Sequence, residues 1–230
     1  HGLVEKTDCP LYNAAIFMVA KANGTRRLVT DLRAINDVII GQNVQLPPVH
    51  DLVEQVTQTR PHFLTSLHLF SGYFQTAVAP NSRHLLAFTS PQGERLAWAV
   101  APFGLSLSPA HFINIITHTL CRLLSSGNLY LYMDDVLIST DETAGFEGHC
   151  AVIEQTLQTL DRADLVCNPA KCCFMQSKIN YLGFEISAKG TTIRDDRLKA
   201  MEQWTSPRDK KQCKRMLATL QFNRKFLRNF

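Results

Sequence analysis

No stretch of this chain is long and apolar enough to cross a membrane, and its first residues lack the basic-then-apolar run of a secretion signal. Both absences point to an intracellular protein. No repeat, low-complexity tract or flexible linker interrupts the 230 residues, which argues against a solenoid or a disordered chain. Cysteine is present without organisation. Its 7 copies, an odd number that includes the neighbours Cys172 and Cys173, form neither a disulfide ladder nor a CxxC metal pattern. They read as reduced and mostly packing residues. Charged residues are only 19% against 45% hydrophobic, the balance of a globular protein with one good core or two small ones.

The charge that exists falls unevenly. From Arg194 onward 11 Lys+Arg face 4 Asp+Glu, whereas the residues before it carry 13 against 16. A solvated helix face accounts for this without function. A basic helical tail also suits a phosphate backbone.

The chain is organised around Leu129–Ser139, where two apolar runs enclose Asp134 and Asp135. The runs read as strands and the Asp-Asp pair as the tight turn of a β-hairpin. It is either only a turn or a cation site. Adjacent carboxylates at the ends of buried strands repel each other unless a cation, usually magnesium, sits with them.

Taken in order, residues 10–21 lead into a strand, Ala22–Thr25 makes a hairpin loop, and Arg26–Arg33 returns, with Lys21 and Arg27 flanking the loop. Two cations so placed could clamp a triphosphate or merely decorate a solvated hairpin. After Pro47-Pro48, the residues Leu52, Val53 and Val56 suggest a short amphipathic helix. Phe63–Leu69 is a strand that breaks at Ser71-Gly72. Leu85–Thr89 and Leu96–Val100 form a second hairpin. Ser108 then reads as an N-cap with Pro109 at the first helical position, and Phe112, Ile116, Leu120 and Leu123 recur at helical spacing. Phe146, Ile153, Leu157 and Leu160 mark another amphipathic helix. In the tail, Asp195 or Asp196 caps one helix. Asp209 and Gln212 make a capping box for a last helix that buries Met216, Leu217 and Leu220, with Lys210, Lys211, Lys214 and Arg215 on its other face.

Tyr132-Met133-Asp134-Asp135 resembles the most specific signature of the reverse transcriptases of retroviruses and long-terminal-repeat retrotransposons. Further words of that family follow in the expected order: Arg26–Asn36, Leu67–Tyr73, Pro102-Phe103-Gly104-Leu105 with Pro109-Ala110 and Phe112, Leu165–Phe174, and Ile179–Ser187. The resemblance runs from about Pro10 to Phe230. It implies an α+β fold, an antiparallel sheet backed by helices, with interleaved fingers and palm over residues 1–190 and a basic helical segment over 191–230 leading to the thumb. It implies an RNA-directed DNA polymerase acting on an RNA or DNA template with primer and on deoxynucleoside triphosphates. Two magnesium ions would serve it, with manganese as the softer substitute. Thumb and ribonuclease H portions would lie outside this sequence, which looks cut from a polyprotein of the cytoplasm, nucleus or a virus-like particle.

By position, the resemblance gives Asp134 and Asp135 the metal, Asp134 as the more direct ligand. Lys21 and Arg27 take the triphosphate, with the backbone N–H groups of Ser71 and Gly72. Tyr73 lies under the sugar, where it excludes a 2′-hydroxyl. Phe103, Gly104 and Met133 fall at nucleotide and template contacts, Phe103 being the retrotransposon variant of a usual Gln. Lys171 is the candidate proton donor to pyrophosphate. Tyr181, Leu182 and Gly183 grip the primer end, Gly183 permitting close approach. Lys210, Lys211, Lys214 and Arg215 would face the duplex.

One word departs from the family pattern. Where the relatives read Leu-Asp-Leu, with Asp the third catalytic carboxylate, this chain has Leu67-His68-Leu69. Two-metal phosphoryl transfer needs an anionic ligand bridging ions roughly 3.5–4 Å apart. An imidazole offers a single lone pair, binds magnesium poorly and cannot bridge. The expectation is therefore an impaired polymerase. The alternatives are an inactive relic that only binds nucleic acid or protein, an ordinary half-buried histidine at a strand end, and a single-base error, since His and Asp codons can differ by one base.

Overall fold

The structure, a computed structural model, describes residues 2–8, 12–20, 24–41 and 44–227. The chain divides into two units that its course interleaves: His1–Leu46, Leu67–Val136 and Glu154–Cys172 form the first, and Pro47–Ser66, Leu137–Ile153 and Cys173–Phe230 the second.

In the first unit, β1 (Val4–Lys6), β2 (Ile16–Ala20) and β3 (Arg26–Thr30) are followed by the short α1 (Arg33–Asn36). β2 and β3 pair antiparallel with Val19 opposite Arg27, the hairpin expected from the sequence. Lys21 lies outside the described residues. The second hairpin, β5 (Ala87–Thr89) and β6 (Arg95–Trp98), gains β1 on the far edge of β6, a strand without a clear sequence signal. The strand expected from Leu85 starts at Ala87, because Pro80–Leu86 winds into a 3-10 helix. Ala14, Leu32, Leu86, Phe88 and Trp98 form a core here, with the Trp98 indole donating to Thr30 Oγ1 at 2.9 Å.

α3 (Ser108–Thr119) buries Phe112, Ile113 and Ile116 on one face, and α4 (Cys121–Leu124) follows. Ser108 is not the cap. It is buried inside the first turn and its hydroxyl donates to Pro102 O at 3.3 Å, so the helix begins one residue earlier than an N-cap at Ser108 would imply. β7 (Leu129–Tyr132), the start of β8 (Asp135–Thr140) and the end of β4 (Phe63–His68) complete this unit.

The second unit holds α2 (Val49–Gln58), which buries Leu52, Val53 and Val56 as expected. It also holds the earlier part of β4, the later part of β8, and β9 (Cys173–Gln176), which pairs antiparallel with β4. β10 (Lys178–Tyr181), β11 (Phe184–Ser187) and β12 (Gly190–Ile193) form an antiparallel meander. α6 (Asp195–Glu202) and α7 (Lys210–Phe222) close the chain, and Phe222 stacks on Phe184 with ring centroids 5.0 Å apart.

Several packing expectations are corrected. α5 (Gly145–Asp161) runs from the second unit into the first, and its buried residues include His149, Thr156 and Leu160, while Phe146 is 62% exposed and Leu157 is exposed as well. The helical period holds, but the buried stripe has polar members. α7 buries none of its residues: Leu217 is exposed, and Met216 and Leu220 are only partly covered. Neither Asp195 nor Asp196 caps α6. Arg194 holds the cap position, and its guanidinium pairs with both Asp196 oxygens at 3.0 and 2.8 Å. Half of the capping box of α7 forms, Asp209 accepting from Gln212 N at 2.7 Å, while the Gln212 side chain reaches one residue further back and accepts from Arg208 N at 2.8 Å. The described cysteines are free, as expected, but only some of them pack. Among the described ones Cys121, Cys173 and Cys213 are exposed, and Cys150, Cys167 and Cys172 are half-buried.

Candidate active site

β7 and β8 are joined by a turn at Met133-Asp134, so Asp135 opens the returning strand instead of sharing the turn. Met133 takes a left-handed φ of 55° to make this geometry. A non-glycine residue there costs of order 1–3 kcal/mol unless its surroundings enforce it, and such strain concentrates at working sites. The enforcement is visible. Leu69 N donates to Asp134 O at 3.0 Å, which ties the turn to the residue after β4.

The same tie brings in His68, the last residue of β4. Its carbonyl accepts from Asn168 N at 2.8 Å, and Leu69 and Cys167 form an antiparallel bridge. Asn168 caps the 3-10 turn Pro169–Lys171 through its side chain, which delivers Lys171. Gln75 braces that segment: its amide nitrogen donates to Phe70 O and Val166 O at 2.6 and 3.0 Å, and its oxygen accepts from Val166 N at 2.6 Å. Nothing in the sequence pattern marks Gln75 for this task.

Four side chains converge. His68 Nδ1 lies 2.7 Å from Asp135 Oδ1, His68 Nε2 lies 3.4 Å from Asp134 Oδ2, and Lys171 Nζ lies 3.1 Å from His68 Nε2. An ionised carboxylate can only accept, so Nδ1 carries the hydrogen toward Asp135. Nε2 then turns its lone pair outward, where the Lys171 ammonium donates to it. The imidazole thus sits between two acids and one base with both nitrogens engaged. Of the three candidate ligands, His68 has the most covered side chain, 22% exposed against 41% for Asp134 and 42% for Asp135.

A second cluster lies alongside. Tyr73 follows the left-handed Ser71 in the 3-10 turn Gly72–Gln75, and it packs on Phe103 and edge-on to Phe112 with centroids 5.5 and 5.8 Å away. Gly72 is required at its position, since a Cβ would stand 2.6 Å from the Phe112 ring. The Arg27 guanidinium lies over the Phe103 ring, 4.2 Å from its centroid. Burial pushes the Tyr73 phenol up, the Asp134 charge adds to this, and Arg27 opposes it. Gly104, at φ +105°, lets the loop backbone approach Thr30 O where a Cβ would stand 2.6 Å away. Asn36 pins that loop by donating to Gly104 O and accepting from Ser106 N, both at 2.8 Å, another pair of bonds without a sequence signal.

The structure therefore gathers Arg27, His68, Gly72, Tyr73, Phe103, Asp134, Asp135 and Lys171 in the first unit. Ser71, Gly104 and Met133 belong to the same unit, and the primer and duplex candidates lie in the second. Tyr181 is buried, and Leu182-Gly183 make the β10–β11 turn with φ of 48° and 92°. A Cβ on Gly183 would meet the Arg197 guanidinium at 2.6 Å, so in this chain the residue that comes close to Gly183 is its own arginine. Lys210, Lys211, Lys214 and Arg215 line one exposed face of α7.

One donor atom each from His68, Asp134 and Asp135 lie within 4.8 Å of one another, a spacing that suits one cation. The set does not fit two. Asp134 and Asp135 are the only anions in it, and the histidine at position 68 already bonds Asp135 and Lys171.

Comparison with known proteins identifies the family and the fold. The family model described as reverse transcriptase (RNA-dependent DNA polymerase) matches residues 19–186. The Transposon Tf2-3 polyprotein of Schizosaccharomyces pombe is 31% identical over 212 residues, covering 92% of this chain and 15% of the polyprotein. The Tf2-4 polyprotein of the same organism matches equally. The chain thus spans only a small part, 15%, of the length of these relatives. Among solved structures, the foamy viral protease-reverse transcriptase in complex with double-stranded DNA superposes with a TM-score of 0.87 at 24% identity, over 100% of this chain and 46% of that one. The native prototype foamy virus protease-reverse transcriptase gives 0.67 at 27%, over 100% and 30%. The α+β, fingers-and-palm fold expected from the sequence is the fold observed.

Proposed function

Since the chain belongs to the reverse transcriptase (RNA-dependent DNA polymerase) family, we propose that it is a fingers-and-palm module that grips a primer–template and a deoxynucleoside triphosphate while its nucleotidyl transfer is held down by His68. The fingers and palm span residues 1–190, and residues 191–230 lead toward a thumb. The observation that carries this reading is the bonding of His68: Nδ1 on Asp135 at 2.7 Å and Nε2 facing Lys171 at 3.1 Å.

Arg27, with Lys21 flanking the same loop in the sequence, meets the triphosphate, and the backbone N–H groups of Ser71 and Gly72 add neutral donors. Tyr73, propped by Phe103 and Phe112, forms the floor under the sugar, with Gly104 and Met133 bordering the base. Tyr181, Leu182 and Gly183 grip the primer end. Asp134, as the direct ligand with Asp135 beside it, would hold the divalent ion, magnesium or manganese, which when bound would polarise a phosphoryl oxygen. The residues present do not fit a second ion, so no two-metal step is assigned to this chain. Lys171, the candidate proton donor to pyrophosphate, is drawn onto His68, a second reason for slow chemistry.

Lys210, Lys211, Lys214 and Arg215 run along the duplex backbone. Relatives of this fold were solved with double-stranded DNA and with RNA/DNA hybrid, which supports the duplex as ligand. The second reading, a relic that only binds nucleic acid or protein, is favoured by the same histidine.

The test is fluorescence anisotropy with a labelled primer–template, run beside primer extension on an RNA template. The parent is expected to bind the duplex and to extend it at or near background in magnesium. Robust magnesium-dependent extension contradicts the claim for position 68, and absence of duplex binding contradicts the module itself. Neutralising the four basic residues of α7 together should weaken binding equally for all sequences and flatten its salt dependence, by about one unit of slope for each phosphate no longer neutralised. An unchanged slope returns that face to plain solvated surface.

A further inference from the structure

The misfit with two magnesium ions has a positive side. We propose that His68 Nε2 and Asp134 Oδ2 are the donor pair of a single-ion site selective for a borderline transition metal, zinc(II) ahead of magnesium, with Asp135 as the orienting carboxylate and Lys171 as an internal competitor. This rests on reading the cluster as the chain's cation site.

Three distances support it. Two donors on one tetrahedral zinc ion, with bonds of about 2.0–2.1 Å, stand about 3.3 Å apart. His68 Nε2 and Asp134 Oδ2 stand 3.4 Å apart. A zinc-binding histidine almost always donates its other ring N–H to a carboxylate or carbonyl, which fixes the tautomer and raises the basicity of the ligating nitrogen. The 2.7 Å approach of His68 Nδ1 to Asp135 Oδ1 supplies that partner. Finally, a cation already stands at the lone pair: the Lys171 ammonium, 3.1 Å from Nε2. The pocket is arranged for positive charge at that point.

Selectivity follows from ligand chemistry. Magnesium prefers oxygen and dehydrates reluctantly, so it gains little from an imidazole and displaces an ammonium poorly. Zinc gains a nitrogen bond and accepts a four-coordinate shell whose other positions are open to water. The identity of residue 68 thereby changes which metal the palm prefers.

The measurement is competition against a chromophoric zinc chelator, with magnesium in parallel, on the whole chain without nucleic acid. The exposed cysteines also take up zinc, so the quantity read is the difference between parent and variant, and the cobalt(II)-substituted protein is checked for a band set free of thiolate charge transfer. His68→Ala and Asp134→Asn should each abolish the specific component. Asp135→Asn should weaken it by about 10–100-fold, the usual effect of losing an orienting partner. Lys171→Ala should tighten it several-fold, a gain that misfolding cannot produce. Zinc affinity that is the same in parent, His68→Ala and Lys171→Ala overturns the proposal. If that happens while duplex binding is intact, the polymerase-module function still stands; if duplex binding is lost while zinc binds, the reverse holds.

Discussion

Two histidines sit in very different company in this molecule. His149, in the second unit, is fully buried, its Nε2 2.8 Å from Thr65 Oγ1 and its Nδ1 2.8 Å from Thr140 Oγ1, and Thr65 also accepts from Met175 N at 3.1 Å. His68, in the first unit, is partly exposed and its ring faces charged groups. Around His149, uncharged hydroxyls satisfy a ring that has been removed from water, and burial pushes its pKa down. Around His68, two carboxylates and an ammonium compete for the ring. The same side chain is a structural tie where its partners are neutral and, in the function proposed above, a chemical control point where they are ionic. Partners and solvent access decide the role.

That contrast can be broken by experiment. The larger expected effect is on stability. His149→Ala leaves a cavity and two buried hydroxyls without their partner, for a loss of roughly 2–4 kcal/mol that a urea or thermal melt would register. His68→Ala, at a site open to water, should cost about 1 kcal/mol or less. Equal losses at the two positions would erase the distinction.

A smaller effect concerns acid. The unfolded His149 takes up its proton near pH 6.5, whereas the folded one resists until lower pH, because burial penalises the charged ring. The unfolded state therefore binds more protons below about pH 6.5. Stability due to this residue is complete above that pH and falls as pH drops toward the folded pKa, by at most about 1.4 kcal/mol per pH unit. His149→Gln, which keeps an amide for the hydroxyls and does not titrate, should flatten that part of the stability profile. An identical slope in parent and variant between about pH 6.5 and 5 would assign the acid sensitivity elsewhere.

The contrast also explains what a sequence can reveal. His68 is conspicuous because it stands inside a word whose usual residue is known, and Asp134-Asp135 because adjacent acids between apolar runs demand a reason. The strand and helix periods of β2–β3, α2, α3 and β10–β11 are equally legible. His149 is not, because a polar residue in an apolar stripe reads as an interruption until its hydroxyl partners, distant in sequence, are seen. Gln75 and Asn36 are hidden for the same reason: each braces a loop through long-range bonds to backbone groups. The α7 face misleads because amphipathic spacing shows which side of a helix can be buried, not whether anything in this chain covers it.

The central proposal is that the imidazole at position 68, held by Asp135 and Lys171, keeps the palm from efficient synthesis, and its most direct test is extension of a labelled primer on an RNA template. Parent and His68→Asp protein are compared, each in magnesium and in manganese. Restoring the bridging carboxylate should raise magnesium-dependent extension by several orders of magnitude, with manganese narrowing the gap by partly rescuing the parent. Extension by the parent in magnesium at the rate of the His68→Asp protein would contradict the account.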